Sequence, residues 1–460
     1  MERIKKKTAE LFLPNELTKL AYETKFIQRS TSILQAKDFV DLLSAASTDP
    51  AIVPLTGLCN ALRELNSKTD LTPQSLMERI NSPNAVEFLK QVFQRAMQTK
   101  MSNIVNRIPP DLLKFFKNVW LEDCSECVLN EALQETFKGS GGKSSRASVK
   151  IDLIYEIKQK TIHSIDLVDR RSPDQKLAQK HIEIIKAGDL IIRDLGFFDV
   201  TVLKLIHNTG AFFLSRLPAC VSIYLNKKDT DPIDLAKYIN QKFQNDSIVD
   251  ITVFVTVKRF PCRLIAYRVP QELSDKRRRE ANKEAQRKGQ APKAKILNRL
   301  DFTFFLTNVP KEIWQAEVIG TIYTVRWQIE LIFKSWKSGL QINYLKGTNK
   351  HRIRCLLYAK LISVVVLNAV YNLLDWYAQK LGREISLYKV MNWLKRDNKI
   401  GTIIIHGLSC KFMMSLIHEI PKTLCKDIRK RKTTQTCLEQ GVSFEDLYAE
   451  YIKNKKLIAA

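Results

Sequence analysis

Residues 189–217 read DLIIRDLGFFDVTVLKLIHNTGAFFLSRL, and this pattern gives the clearest indication of the fold. The short apolar runs Asp189–Arg193 and Ala211–Leu217 are typical of buried strands, whereas Phe198–His207 between them has helical spacing. A strand, a helix and a second strand form a crossover unit, which places both strands parallel in one sheet. The stretch therefore predicts an α/β protein.

The residues before this unit add three more predicted strands. Asn118–Glu122 is a short apolar run, and Ala147–Ile157 and Thr161–Val168 suit a hairpin because only a short turn separates them. Asp174–Lys186 has helical periodicity and stops before a glycine. Three strands that can pair antiparallel, followed by crossover units, predict a mixed sheet with helices on its faces.

The first 105 residues are almost free of strand patterns. Thr72-Pro73 is a good cap and first-turn pair for a helix, and the block that follows reads as helix, short polar turn, helix. Such a helix-turn-helix would offer Arg79, Lys90 and Arg95 to phosphates. Any small helical bundle would give the same pattern, so both interpretations stay open.

The charge balance points to an anionic partner. The 460 residues contain 74 Lys and Arg against 48 Asp and Glu, a formal net charge of +26. Nucleic acid is the simplest partner for such an excess, and an anionic membrane surface is the weaker one. The nine scattered cysteines favour a reducing cytosol, and the N-terminus lacks the apolar core of a signal peptide. The apolar run Leu356–Leu374 is interrupted by polar residues and favours a buried helix over a membrane span.

A polar stripe is predicted within residues 323–337, YTVRWQIELIFKSWK. If the stretch forms one helix, Tyr323, Arg326, Glu330 and Lys337 share one face, because residues three, four and seven apart do so. One carboxylate among cations suits a surface that holds a metal ion and a phosphate chain together. A solvated helix face with ion pairs is the commoner explanation of such a pattern. The opposite face is apolar, which indicates that the helix packs on the protein.

Three carboxylates are candidates for a shared metal site. Asp123 is predicted to end the first strand, Asp194 to end the fourth, and Glu330 to lie on the stripe. Hydrolysis of a phosphodiester uses such carboxylates to hold one or two Mg²⁺ ions. Asp194 could instead cap the following helix, and Asp123 could be a turn residue. Asp152, Asp166 and Asp199 are competing acids; the first two alternate along strands and are expected to face solvent.

The sheet order and these motifs resemble the DDE transposases of bacterial insertion sequences. The resemblance covers roughly residues 115 to 360. It is most specific in the signature of an insertion-sequence-4-like subgroup, named YREK after Tyr, Arg, Glu and Lys, whose spacing is met without a gap by Tyr323, Arg326, Glu330 and Lys337. The resemblance implies a ribonuclease H-like mixed sheet with a β-rich insertion and an N-terminal helical domain.

The resemblance also implies roles for the site residues. Asp123, Asp194 and Glu330 would bind two Mg²⁺ ions, for which Mn²⁺ can substitute, and cleave and join DNA. The residues expected to contact DNA are Tyr323, Arg326, Lys337, Lys334 and Trp327. The implied partners are the terminal inverted repeats of the transposon, target DNA and a second copy in a homodimer, all in the bacterial cytoplasm near the nucleoid.

The resemblance predicts a division of the chain into four parts. They are a DNA-end-binding domain (1–105), a catalytic core (106–217 and 321–380), a β-rich insertion with a basic arm (218–320) and a helical region for dimerisation (381–460). The arm, within SDKRRREANKEAQRKGQAPKAK, could be a solvated segment or could grip a DNA backbone. Trp314 could stack on an extruded base, or it could be an ordinary core tryptophan.

Two other functions remain open on the sequence. The chain could be a catalytically idle DNA-binding regulator derived from a transposase, although all three acids are present. It could also be a structure-selective nuclease of the same fold, which would cut DNA without joining it.

Overall fold

The structure is a computed structural model of the whole chain. It describes residues 10, 12–47, 54–99, 110–140, 145–291, 294–396, 399–427 and 433–446. The chain divides into two compact units. The first comprises 1–108, 124–172 and 329–428, and the second comprises 109–123, 173–328 and 429–460.

Nine strands and seventeen α-helices are described. The strands are β1 (Val119–Val128), β2 (Ser148–Glu156), β3 (Thr161–Asp169), β4 (Leu190–Arg193), β5 (Phe212–Arg216), β6 (Ile223–Tyr224), β7 (Ile248–Val255), β8 (Phe260–Arg268) and β9 (Phe302–Thr307). The helices are α1 (Pro14–Glu23), α2 (Ala36–Ala46), α3 (Leu55–Leu65), α4 (Pro73–Ile80), α5 (Pro83–Gln98), α6 (Asp174–Lys180), α7 (Val200–Asn208), α8 (Leu235–Lys242), α9 (Gln271–Arg287), α10 (Ala294–Arg299), α11 (Ala316–Tyr323), α12 (Trp327–Gly339), α13 (Lys350–Lys380), α14 (Leu387–Lys395), α15 (Lys399–His406), α16 (Cys410–Glu419) and α17 (Thr434–Glu439).

The N-terminal part of the first unit is helical and has no strand within its described residues up to 99. Helices α4 and α5 form the helix, short turn and helix that the sequence predicts. Thr72 and Ser82 each accept a hydrogen bond from a backbone N–H of the helix that follows them, which defines where α4 and α5 begin. Arg95 pairs with Glu16 at 2.5 Å, so one of the cations offered to phosphates is engaged within the unit.

Strands β2 and β3 form the predicted antiparallel hairpin of the first unit, with Val149 opposite Asp169 and Glu156 opposite Thr161. All nine residues of β2 are buried. The expectation that Asp152 faces solvent is therefore wrong: its side chain lies in a strand covered on both faces and is 2% exposed. Alternation of polar and apolar residues along a strand indicates a solvent-facing side only when no other part of the protein covers that side.

The core of the first unit includes α13, which contains the apolar run of the sequence. This helix is long and apolar enough to cross a membrane, but 83% of its most apolar window is buried inside the protein. Its Lys360 is buried as well and donates to the backbone carbonyls of Ser47 and Leu340 at 3.0 and 2.9 Å. Helix α13 is therefore a buried core helix, as the sequence predicts.

The second unit has a mixed sheet in the order β1-β4-β5-β9-β8-β7-β6, and β1 continues beyond this unit through residues 124–128. β1, β4 and β5 run parallel, with α7 as the crossover between β4 and β5, and the other pairs are antiparallel. The predicted α/β fold, a mixed sheet flanked by helices, is confirmed.

The β-rich segment after β5 continues this sheet. Strand β9 pairs with β5, so that Leu214 lies opposite Thr307, and β8 pairs with the other edge of β9. Trp314 is 0% exposed and its indole N–H donates to the carbonyl of Leu112 at 2.8 Å. It is therefore the core tryptophan that the sequence allowed, with no face available to an extruded base.

Candidate active site

The register of the two neighbouring strands β1 and β4 places two aspartates side by side. The last pair of the β1–β4 ladder is Glu122 with Arg193. Asp123 is the next residue of β1, and Asp194, in an extended conformation, directly follows the end of β4. Because side chains alternate between the faces of a sheet, the two aspartates share one face and the Glu122–Arg193 pair lies on the other.

Arg326 confirms that the two aspartates converge. Its guanidinium lies 4.0 Å from a carboxylate oxygen of Asp123 and 3.6 Å from one of Asp194. The side chain of Arg326 is 10% exposed, whereas those of Asp123 and Asp194 are 19% and 45% exposed. A largely buried cation therefore holds two carboxylates that open toward solvent.

Tyr323 contacts both Arg326 and the end of β4. Its ring lies 5.9 Å from the Arg326 guanidinium, and its hydroxyl donates to the carbonyl of Arg193 at 3.3 Å. Burial raises the pKa of Tyr323 to about 12, so the phenol keeps its proton at neutral pH. The tyrosine thus connects the arginine to the end of β4.

A charged network lies on the opposite face of the strands. Glu122, which is 0% exposed, accepts a hydrogen bond from Arg193 Nε at 2.5 Å and lies 2.7 Å from His181 Nδ1. Burial alone would raise the pKa of the Glu122 carboxyl, but Arg193 and His181 together hold it below its ordinary value. The carboxylate therefore stays charged and ties β4 to β1 one residue before the aspartates.

Sequence reasoning did not find this network. The available signal was the presence of Glu122 and Arg193 next to the candidate aspartates in runs that are otherwise apolar. Charged residues in a buried strand are almost never left unpaired, so two of opposite sign on predicted neighbouring strands indicate an ion pair.

The segment from Tyr323 to Lys337 is helical but is not one regular helix. Helix α11 ends at Tyr323, Thr324–Arg326 forms a 3₁₀ turn, and α12 begins at Trp327. The prediction of a single helical stripe is wrong at this turn. The β-branched pair Thr324-Val325 favours the break, since such residues lose side-chain freedom in a helix, and the Thr324 hydroxyl donates to the Thr321 carbonyl at 2.6 Å.

The remaining predicted residues lie along α12. Glu330 is exposed in its first turn, four residues after Arg326 in the chain, and Lys334 follows one turn later, also exposed. Lys337 is half-buried, and the indole of Trp327 is 60% exposed. The apolar face that the sequence predicts is buried; its members are Ile329, Ile332, Phe333 and Trp336.

The structure does not match the alternative roles of the two aspartates, a helix cap for Asp194 and a turn residue for Asp123. Asp194 precedes a 3₁₀ turn but makes no capping hydrogen bond, whereas Asp199 caps α7 by accepting from the N–H groups of Thr201 and Val202. Asp123 is not a turn residue. It also does not end its strand as predicted, because β1 continues to Val128 after its pairing with β4 has stopped.

The donor set of Asp123 and Asp194 fits a divalent cation. Carboxylate oxygens are the ligands that Mg²⁺ prefers, and the two side chains already face one positive group within 4.0 Å. Their partial exposure also leaves room for water, which Mg²⁺ retains in protein sites.

Comparison with known proteins identifies the family of the chain. The family described as "Transposase DDE domain" matches residues 121–366. The chain is 28% identical to a transposase for insertion sequence element IS231F from Bacillus thuringiensis subsp. israelensis, over 96% of this chain and 95% of that one. It is 29% identical to a transposase for IS1151 from Clostridium perfringens, over 80% of each chain. A cryo-EM structure of a piggyBac transposase synaptic complex with hairpin DNA is similar at a TM-score of 0.43 and 9% identity, covering 93% of this chain and 87% of that one.

Proposed function

Because the chain belongs to the DDE transposase family, we propose that it cleaves DNA at the ends of an insertion sequence and transfers the freed 3′ hydroxyl into target DNA. The protein is a transposase that binds DNA and uses a divalent metal ion. The observation that carries the finer proposal is the adjacency of Asp123 and Asp194 on neighbouring strands, with Arg326 within 4.0 Å of both.

Asp123, Asp194 and Glu330 would hold the metal, two Mg²⁺ ions or Mn²⁺ in their place. Two such ions, when bound, lower the pKa of a coordinated water or hydroxyl and stabilise charge on the attacking and leaving oxygens. The register of β1 and β4 supports the first two assignments. The position of Glu330, exposed and four residues beyond Arg326, supports the third.

Arg326 can pair with either of two kinds of anionic group, the two aspartates or a DNA phosphate. Before DNA binds, its charge offsets the repulsion between Asp123 and Asp194, which face the same side of the sheet. If cations held the carboxylates, the guanidinium would be available to a phosphate, to which it can donate two hydrogen bonds. Tyr323 holds it within reach through the ring contact.

Residues of α12 are the further candidates for DNA contact. Lys334 and Lys337 would contact phosphates of the transposon end, and the exposed indole of Trp327 would stack on a base. Tyr323, Arg326, Glu330 and Lys337 meet the spacing of the YREK signature, which supports assigning the chain to that subgroup.

The parts outside the site complete the proposal. Residues 1–105 recognise the terminal inverted repeats, for which the short turn between α4 and α5 supplies a suitable shape. The catalytic core comprises 106–217 and 321–380, 218–320 is the insertion, and 381–460 dimerises in the complex with two transposon ends. The enzyme acts in the bacterial cytoplasm, where DNA is accessible.

Substitution of the acids tests the proposal. Asp194→Asn and Glu330→Gln remove a metal ligand without changing side-chain size, so each should abolish Mg²⁺-dependent nicking of a transposon end while binding of that end persists. Asp199→Asn is the matched control, because asparagine caps a helix as well as aspartate does. If either of the first two variants nicks DNA at the wild-type rate, the site assignment is wrong.

Joining of a pre-cut end to plasmid DNA separates strand transfer from cleavage alone. A transposase joins the end in the presence of Mg²⁺. Cleavage without joining under the same conditions would identify a nuclease of this fold and overturn the second half of the proposal.

A further inference from the structure

Helix α9, in the second unit, carries a basic face that the proposed active site does not use. The helix spans Gln271–Arg287, and Ser274 is its one buried side chain among the residues described. At 1.5 Å per residue it is about 26 Å long. A helix that is polar nearly all round bridges domains through solvent, is stabilised by i,i+4 pairs, or is not stable on its own.

One face of α9 is anchored to the start of β9. Arg278 binds the carboxylate of Asp301 at 2.7 Å, and Ser274 donates to the same carboxylate. Arg277 donates to the carbonyl of Phe302 at 3.0 Å and to the hydroxyl of Thr303 at 3.0 Å. These contacts fix the first half of α9. They engage Arg277 and Arg278, two of its three consecutive arginines.

The opposite face carries Arg279, Lys283 and Arg287, each four residues from the next and each exposed. Residues four apart lie on one side of a helix. The half-buried Ala281 and Ala285 fall on the other side, toward the anchoring contacts. The three cations therefore form one outward stripe about 12 Å long.

The acids of α9 pair with lysines outside this stripe. Glu280 lies 3.7 Å from Lys276, and Glu284 lies 2.6 Å from Lys288. Within the described part of the chain, no carboxylate oxygen lies within 4.0 Å of the stripe's three cations. Lys288, which is hydrogen-bonded to Glu284, and to a smaller extent Arg287 lower the pKa of the Glu284 carboxyl, so the charge of Arg287 is partly offset. The charges of Arg279 and Lys283 are available to a ligand.

We propose that Arg279, Lys283 and Arg287 bind the phosphate backbone of duplex DNA without regard to its sequence. Phosphates of one strand advance about 3.4 Å along the duplex axis, so a 12 Å stripe faces about three of them. The face lacks aromatic and apolar side chains, which favours phosphate contacts over reading of bases. The proposal rests on the proposed function only in requiring that the chain binds DNA.

The test is the salt dependence of binding to a short duplex of random sequence, measured in EDTA so that no cleavage occurs. Each phosphate contact contributes about −0.9 to the slope of log K against log salt concentration. The triple variant Arg279→Gln/Lys283→Gln/Arg287→Gln should therefore have a slope shallower by about 2 to 3. The charge-conserving variant Arg279→Lys/Lys283→Arg/Arg287→Lys should keep the wild-type slope.

The matched control removes three exposed lysines of the same unit, in Lys227→Gln/Lys228→Gln/Lys237→Gln. It changes the net charge equally and should leave the slope at the wild-type value. A wild-type slope in the α9 variant, or an equal change in the control, would overturn the proposal. Failure of the proposed function would be seen separately, as wild-type protein that binds DNA but does not nick a transposon end in Mg²⁺. Circular dichroism verifies that each variant remains folded.

Discussion

Glu122→Gln tests whether the network beneath the aspartates holds the site in place. The substitution keeps the size of the side chain and a hydrogen-bonding group for His181, but it removes the negative charge that Arg193 contacts at 2.5 Å. The Arg193 side chain is 5% exposed, so its charge would be left buried without a carboxylate. Removing one partner of a buried pair costs about 3–5 kcal/mol.

Urea unfolding followed by circular dichroism measures this cost. We expect the free energy of unfolding of Glu122→Gln to fall by about 3–5 kcal/mol, equivalent to two to four powers of ten in the unfolding equilibrium. Adding Arg193→Met removes the stranded charge, so the double variant should be more stable than Glu122→Gln alone. Because the pKa of Glu122 is lowered in the folded protein, the advantage of the wild type is complete above pH about 4.5 and declines as the pH falls through the folded value.

The same variant should cleave DNA more slowly, because Glu122 and Arg193 immediately precede Asp123 and Asp194 and fix the end of β4 against β1. The reduction should appear at saturating DNA and at a temperature where the variant remains folded. A loss of stability below 1 kcal/mol, or a double variant no more stable than the single one, would refute the reasoning that the pair is a buried and coupled element.

Two further variants test a DNA contact and a buried lysine. Arg326→Ala should weaken binding to a pre-cut transposon end in Mg²⁺, measured by fluorescence anisotropy; unchanged affinity would count against a phosphate contact. Burial lowers the pKa of Lys360 to about 8, whereas the unfolded chain has the ordinary value of 10.5. Since the unfolded state then binds more protons between these two values, the free energy of unfolding should rise from pH 8 to pH 10.5, by up to about 3 kcal/mol. Lys360→Met should abolish this part of the rise, and an identical pH profile in the variant would show that Lys360 does not titrate in this way.

The elements that the sequence predicted well are those with a local signal. The hairpin β2–β3, the crossover β4–α7–β5 and the capped pair α4 and α5 all follow from apolar periodicity and from residues such as Thr72 and Pro73. In each case the residues that define a strand or helix lie within that element or next to it in the sequence. Tertiary context was not needed to recognise them.

The errors arose where burial depends on distant parts of the chain. The alternation of Asp152 with apolar neighbours predicts that it faces solvent, but both faces of β2 are covered. The 3₁₀ turn at Thr324–Arg326 was missed because the spacing of the signature residues fits a continuous helix almost as well. The continuation of β1 past Asp123 was missed since an acidic residue after an apolar run resembles a strand end.

The site shows why residue types were easier to predict than their mutual placement. Asp123 and Asp194 were identified from their positions after apolar runs, yet their adjacency follows from a register that pairs Glu122 with Arg193. A shift of one residue would turn one aspartate to the opposite face and separate Glu122 from Arg193, leaving one of these charges buried without its partner. The buried ion pair therefore disfavours a shifted register. Glu122 and Arg193, the charged residues of these otherwise apolar strands, thereby align the two carboxylates.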